Sequence, residues 1–444
     1  MAGVIARPPL PAGPFLVVGL ARSGVAVARA LAARGEVVVG CDAGAVGDDV
    51  RLELEAAGVR VAAPDEGVEL LGDAATVVKS PGVPQEAPVV ALARRTGVPV
   101  VGELEIGWRM LPNPFVVVTG SNGKTTTAEL IGHIHRWAGV PGVVAGNVGT
   151  ALSGLEVDAA DVIVCEASSF QLEDTVAMAP EAALLLNLVE DHLDRHGTFE
   201  AYRDAKLQAF ARQPARAIAV APPEWLAALP GDAARVSFGG PEADLAERDG
   251  ALWWRGERLL AAGGLRLRGA HNVLNAAAAA AVTLARGVPA DAVREALRTF
   301  AGVPHRLEEV ATVDGVLYVN DSKATNVASA VAAIESFAGG VHVILGGRGK
   351  GSDYTPLAAP VRRRAKAAYL IGETAAAIHA ALEPAGVPLD DCGDLERAVG
   401  AARAAARPGD VVLLSPACAS YDQYRSFEAR GDHFRRLVSR SGHQ

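Results

Sequence analysis

The stretch VVVTGSNGKTT, residues 116–126, gathers groups suited to holding phosphate. Lys124 brings a cation, while Ser121, Asn122, Thr125 and Thr126 bring hydroxyl and amide groups. Gly120 and Gly123 leave the backbone free to turn its N–H groups inward. The familiar spacing G-x-x-x-x-G-K-[ST] has its first glycine where this chain has Val118, and Gly120 stands two places later. A tight turn with a solvated lysine is the competing reading. The surroundings favour a phosphate loop. An apolar, β-branched run at 115–118 precedes it, and Leu130, Ile131, Ile134 and Trp137 follow at helical spacing up to Gly139.

Three further clusters carry chemistry. CEASSFQL, 165–172, ends an apolar run in Glu166. A carboxylate there suits Mg²⁺ or a water in a nucleotide-hydrolysing site, though an ordinary acid at a strand end fits equally well. NLVEDHLDRHG then sets Asp191, His192, Asp194 and His196 within six residues. With no cysteine beside them, such carboxylates suit magnesium better than zinc. NDSKATN, 320–326, packs Asp321 and Lys323 among hydroxyls and amides, which also suits an Asx turn capping a helix. Upstream, Arg306 in GVPHRLE offers a guanidinium to a transferring phosphoryl group.

These residues need a scaffold, and the bulk numbers bound it. The 444 residues allow about three domains at roughly 150 residues each. A net charge of −9 argues against a nucleic-acid surface. The four cysteines are scattered without a C-x-x-C pair, which suits a reducing compartment and no zinc frame. No signal-peptide pattern and no uncharged membrane-length apolar run is present, so a cytoplasmic protein without a membrane partner is expected.

The first domain, 1–105, opens with FLVVGLARSGVAVARALAARGEVVVGCD, a strand–glycine turn–helix–strand pattern. Gly19, Gly24 and Asp42 match a dinucleotide-binding start, but Ala21 replaces the glycine that admits a pyrophosphate. A nicotinamide-dependent oxidoreductase is therefore one alternative, and a non-catalytic nucleotide-gated switch is another. The second domain, 106–303, carries the phosphate loop, a hairpin at ALWWRGERLL and two closing helices. The third, 304–444, alternates strands and helices again. Its NDSKATN, GGRGKGSD and SPACASYD segments follow strands, where ligands of open sheets bind. The expected fold is α/β with three domains: N- and C-terminal Rossmann-like open sheets flanking a central P-loop ATPase domain.

Taken in order, TGSNGKTT, SSFQLE, EDHLDRHGTFEAYRDAK, GAHNVLN, PHR, NDSKATN and LLSPACASYDQYRSFEARGDHF span more than 300 residues. The set resembles the Mur ligases, whose own loop variant is T-G-S/T-N-G-K-T/S, so Val118 is expected there. The resemblance implies an ATP-dependent amide ligase that works through an acyl phosphate in peptidoglycan precursor synthesis. SPACASYDQ points to the member joining D-glutamate to UDP-N-acetylmuramoyl-L-alanine, and another amino acid such as L-glutamate is the alternative within the family.

The resemblance also implies roles. Lys124 would contact the ATP phosphates, and Thr125, Glu166, His192 and a carbamylated Lys206 would hold Mg²⁺. Asn272 and Asn275 would flank the adenine, with Arg306 on the phosphates, Asp321 on the ribose and Lys323 among the catalytic groups. Ser80, Asn147, Ser168 and Gln171 would contact the muramoyl substrate. Lys350, Ser415 and Phe427 would line the glutamate site. The family's second strand often ends Asp-Thr-Arg; here it ends Asp42-Ala43-Gly44. Arg22 is the substitute at hand, while SPG at 80–82 keeps the other uridine-nucleotide contact. A monomer acting on small molecules is expected.

Overall fold

The computed structural model describes residues 4–64, 66–267, 269–349 and 351–439. Its strands form three sheets. The first contains β1 (Phe15–Val18), β2 (Val38–Cys41), β3 (Arg60–Val61), β4 (Thr76–Lys79) and β5 (Val100–Gly102). All are parallel, in the order β3-β2-β1-β4-β5, so the sheet is doubly wound about β1. Its strands are apolar without alternation because both faces are covered. Phe15 and Val17 join one buried cluster, while Leu16 and Val18 join the opposite one.

The second sheet contains β6 (Phe115–Thr119), β7 (Gly142–Gly146), β8 (Val162–Glu166), β9 (Ala182–Leu185) and β10 (Ile218–Ala221). It continues through β11 (Ala234–Gly239), β12 (Leu245–Arg248), β13 (Ala251–Trp254) and β14 (Glu257–Ala261). Its order is β14-β13-β12-β11-β10-β9-β6-β8-β7, with the hairpin expected at ALWWRGERLL forming β13 and β14 at one edge. The alanines at 276–281 are all fully buried in the helix Ala270–Ala285, so that block is core packing.

The first two sheets and His271–Phe300 form one compact unit. Buried carboxylates tie the first sheet's last helix, Glu103–Met110, to the second sheet's layer. Glu105 accepts the N–H groups of Val176, Ala177 and Met178 and pairs with Arg109 at 2.7 Å. Glu181 accepts from Ile5 N–H and Phe115 N–H and pairs with Arg7 at 3.0 Å.

The third sheet lies in the second compact unit, which continues from Ala301. It contains β15 (Glu308–Val313), β16 (Val316–Asn320), β17 (Val341–Gly346), β18 (Ala365–Ile371), β19 (Leu389–Gly393) and β20 (Val411–Leu414). The order is β15-β16-β20-β17-β18-β19, with only β15 antiparallel to its neighbour. The α/β class, with an open sheet, a loop-bearing sheet and a second open sheet in chain order, is as expected. Among the described residues no helix is long and apolar enough to cross a membrane, and all four cysteines are free and buried.

Candidate active site

The glycine loop is built as its unusual spacing requires. Val118 is fully buried and pairs with Glu166 on one side and Leu184 on the other, so β6 continues through the position where other loops have a glycine. The chain turns only after Thr119. Gly120 and Gly123 take φ values of 145° and 85°, where side chains are strained. A Cβ on Gly123 would also meet Asn275 Oδ1 at 2.3 Å. Ser121 N–H donates to the carbonyl of Asn187, and Ser121 Oγ lies 2.8 Å from the Tyr202 hydroxyl. Lys124 begins the helix Lys124–Trp137 and folds back over the loop, donating to the carbonyls of Gly120 and Ser121 at 2.9 Å each. Thr125 and Thr126 are buried in the first turn, and Thr126 Oγ1 has no hydrogen-bond partner.

Glu166 ends β8 beside β6. One oxygen accepts from Asn147 Nδ2 at 3.0 Å; the other is buried with no hydrogen-bond partner. A buried, unanswered carboxylate oxygen beside a phosphate loop fits a hard cation such as Mg²⁺. Lys206, on the helix Phe199–Leu207, is buried and donates to the Gly120 carbonyl at 2.8 Å, with its ammonium 4.6 Å from the Tyr202 ring centre. Burial, then the charge of Lys124, push its ammonium down to about 7 against the opposite pull of Asp191 and Glu166. His192 is half exposed in a left-handed conformation, φ 53°, packed 4.9 Å from the Phe170 ring. Among the described residues no three His, Cys, Asp or Glu side chains gather as a metal site. Asn272 and Asn275 are buried next to the loop and bonded to each other at 3.1 Å.

A cavity of about 790 Å³ opens beyond the carboxyl ends of β1 and β4. Arg22, Ser80, Asn147 and Gln171 line it. Arg22 and Asp42 are the only charged residues among the described lining groups. Asp42, which the oxidoreductase reading gives to a ribose, already accepts from Leu20 N–H at 2.7 Å and Gly44 N–H at 3.1 Å. Ser80 donates to the Gly19 carbonyl at 2.6 Å. Ser168 and Gln171 form a capping box on the short helix Ser169–Leu172, which fixes how Gln171 meets the cavity.

In the second unit Asp321 follows β16 and is buried. Ser415, just after β20 and fully buried, donates its hydroxyl to Asp321 at 2.8 Å, and Leu307 N–H donates to the other oxygen. Burial pushes the Asp321 carboxyl up to about 7, although Ser415, the Arg306 charge and that N–H all favour the carboxylate. Lys323 stands 5.8 Å from the ring centre of Phe427, which begins the helix Phe427–Ser439. Lys350 lies outside the described residues.

One buried neighbour of these residues escaped the sequence reading. Arg430 is buried three residues after Phe427 and donates to Ser322 Oγ at 2.9 Å and to the Ser322 and Cys418 carbonyls. It thereby ties NDSKATN to SPACASYD. Its only sequence signal is an arginine one helical turn beyond Phe427.

A glycine phosphate loop against an open carboxylate and a low-pKa lysine defines a nucleoside-triphosphate-using enzyme. Residues 118–283 match the Mur ligase middle domain, and residues 305–418 match the Mur ligase glutamate ligase domain. The chain belongs to the Mur ligase family. It is 43% identical to the UDP-N-acetylmuramoylalanine–D-glutamate ligase of Pelotomaculum thermopropionicum, over 95% of this chain and 96% of that one. It is 41% identical to the enzyme of that name from Koribacter versatilis, over 97% and 98%. In fold it resembles the MurF ligase of Thermotoga maritima solved with ADP, at TM-score 0.61 and 18% identity over 95% of this chain and 98% of that one. The UDP-N-acetylmuramate-alanine ligase MurC of the same organism is similar at TM-score 0.60 and 20% identity, over 96% and 98%.

Proposed function

We propose that this chain is an ATP-dependent ligase joining D-glutamate to UDP-N-acetylmuramoyl-L-alanine. The observation that carries this reading is identity above 40% with relatives of that activity over nearly the whole length of both chains. The alanine carboxylate of the acceptor attacks the γ-phosphoryl group of ATP, releasing ADP and leaving an acyl phosphate. The D-glutamate amine then attacks the acyl carbon, phosphate departs and the amine proton goes to solvent.

Gly120, Ser121, Asn122, Gly123 and Lys124 hold the phosphates, with Lys124 leaving its loop carbonyls to meet them. Asn272 and Asn275 face the base, Arg306 serves the phosphates, and Asp321 holds a ribose hydroxyl. Thr125, Glu166, His192 and Lys206 would hold Mg²⁺, which when bound offsets negative charge on the phosphoryl oxygens. Lys206 serves as its carbamate. A buried amine brought down to about 7 is largely neutral near pH 8, and only the neutral amine adds CO₂. The product is an anionic oxygen ligand where an ammonium would repel the metal.

Ser80, Asn147, Ser168 and Gln171 position the acceptor, while Lys350 and Phe427 receive D-glutamate with Lys323 nearby. Ser415, expected at the glutamate site, instead takes a positioning role through Asp321, to which its hydroxyl is donated. The enzyme works as a cytoplasmic monomer. Mass spectrometry of the product made from the UDP-muramoyl-alanine acceptor with a panel of amino acids tests the reading. With the amino acids offered singly, because the two glutamates have equal mass, D-glutamate should give the product; a product formed from L-glutamate instead would overturn the amino-acid specificity.

A further inference from the structure

Beneath the cavity wall lie four charged side chains with no part in the roles above. Lys79, fully buried at the end of β4, pairs with Asp174 at 2.8 Å and Glu173 at 3.4 Å. It also donates to the carbonyl of Val83 at 3.0 Å. Arg195 belongs to the short helix Leu193–His196. It donates to that same Val83 carbonyl at 2.8 Å, to Glu173 at 2.9 Å and to the Pro81 carbonyl at 3.5 Å. The turn at 80–84, which lines the cavity, is thus gripped by two cations that share one carboxylate.

Arg195 also reaches the other way. Its guanidinium sits 4.8 Å over the Phe170 ring, which stacks on His196 at 5.3 Å and packs on His192 at 4.9 Å. His196 in turn bonds Ser169 at 2.9 Å. The helix Leu193–His196 is one turn long, too short to hold itself, and only its Arg195 and His196 side chains are tucked in, at 15% and 5% exposure. Its firmest polar tie is the arginine that grips the cavity wall.

We propose that Arg195 and Glu173 are positioning residues: they couple occupancy of the cavity's nucleotide end to the ordering of the segment 190–197, which carries His192. The proposal rests on the cavity receiving the uridine-diphosphate end of the acceptor. A ligand against the 80–84 turn fixes the carbonyls that Arg195 holds, and Arg195 fixes the helix. Binding energy from a remote part of the substrate is then realised as placement at the reacting end.

Hydrogen–deuterium exchange on the full chain, with UDP alone as the probe, reads this directly. In the parent protein UDP should slow exchange across 190–197 by about fivefold or more. In Arg195→Ala, with UDP binding still measurable by calorimetry, that protection should vanish. Arg195→Lys, which cannot span the carbonyls and the carboxylate with one fork, should show part of it. Turnover adds a second reading with an acceptor lacking the uridine diphosphate. Free UDP should raise the parental rate on it but leave Arg195→Ala unchanged. Equal protection in parent and Arg195→Ala, or equal activation by UDP, overturns the coupling while leaving the ligase reading intact. UDP that fails to bind the parent at all overturns the nucleotide assignment of the cavity and the coupling with it.

Discussion

Two buried lysines in the first unit meet opposite surroundings. Lys79 is answered by two carboxylates, Asp174 and Glu173, and by backbone carbonyls. Lys206 has one carbonyl and the face of Tyr202, with a second ammonium, Lys124, working against it. Burial alone therefore does not mark a functional lysine. A buried cation with carboxylate partners holds structure together, and removing one member strands the others. A buried cation without them has its pKa lowered and gives up its proton more readily, which is the state the proposed carbamate requires. Glu166 and Asp191 pull Lys206 back toward the charged form, but the burial and Lys124 win.

The sharpest break of this contrast is substitution at both positions. Lys206→Arg keeps a positive charge but cannot become an oxygen ligand. Amide formation should fall by about a thousandfold or more if Lys206 works as the proposed carbamate, whose anionic oxygen the guanidinium cannot supply. A companion variant, Lys206→Met, should keep the fold, because the Lys206 amine bonds a carbonyl and leaves no carboxylate partner stranded when it is removed; thermal melting checks this. Turnover by Lys206→Arg at the parental rate would end the carbamate assignment. Lys79→Met should do the reverse. It leaves Asp174 and Glu173 short of a buried partner and should destabilise the unit by about 3 kcal/mol, read by urea denaturation. If Lys79→Met melts like the parent while Lys206→Met unfolds, the two roles are interchanged.

The contrast should also appear as a pH dependence. A folded pKa of about 7 lies well below the roughly 10.4 of an unfolded lysine. Between those values the unfolded chain binds the extra proton, so stability rises with pH across that window. Below about 7 the buried charge opposes folding in full. Activity at fixed dissolved CO₂ should climb roughly tenfold from pH 6 to pH 8 as the neutral amine accumulates. Added bicarbonate should lift the acid side. In CO₂-free buffer the stability difference between parent and Lys206→Met should narrow as pH rises. A flat difference between pH 6 and pH 9 would contradict the shifted lysine.

Much of this site was legible in the sequence because its signals are local. Strand, glycine turn and helix N-terminus lie within a few residues around Lys124, and hydrophobic spacing fixes each of them. The hairpin and the alanine helix were readable for the same reason. What escaped depends on distant partners. Nothing near Lys79 announces Asp174, and nothing near Arg430 announces Ser322. Glu105 ties the first sheet's last helix to the second sheet's layer, and Glu181 ties the N-terminal segment to it, through bonds to backbone far along the chain that no periodicity displays. Lys206 stood out only through the family resemblance. Its burial, the feature that makes its chemistry credible, belongs to the folded chain alone.

Asp321 extends the comparison to the second unit and gives the smallest expected effect. It is the acidic counterpart of Lys206: a buried group held away from its usual charge state, here up to about 7. Ser415 is one of the donors that favour the carboxylate, so Ser415→Ala should raise the Asp321 pKa further. A hydroxyl bond to a carboxylate is worth about 1.5–3 kcal/mol, and with Asp321 only partly ionised near neutral pH the loss should lie at the low end of that range. If Asp321 accepts from the ATP ribose as a carboxylate, the KM for ATP should rise several-fold near neutral pH and recover toward pH 9. The KM for D-glutamate should stay put, because the Ser415 hydroxyl is fully buried and spent on Asp321. Steady-state kinetics across pH 6 to 9 with each substrate varied in turn separates the cases. A rise in the D-glutamate KM alone would put Ser415 in direct contact with the amino acid, and Asp321 would then lose its place as the mirror of Lys206.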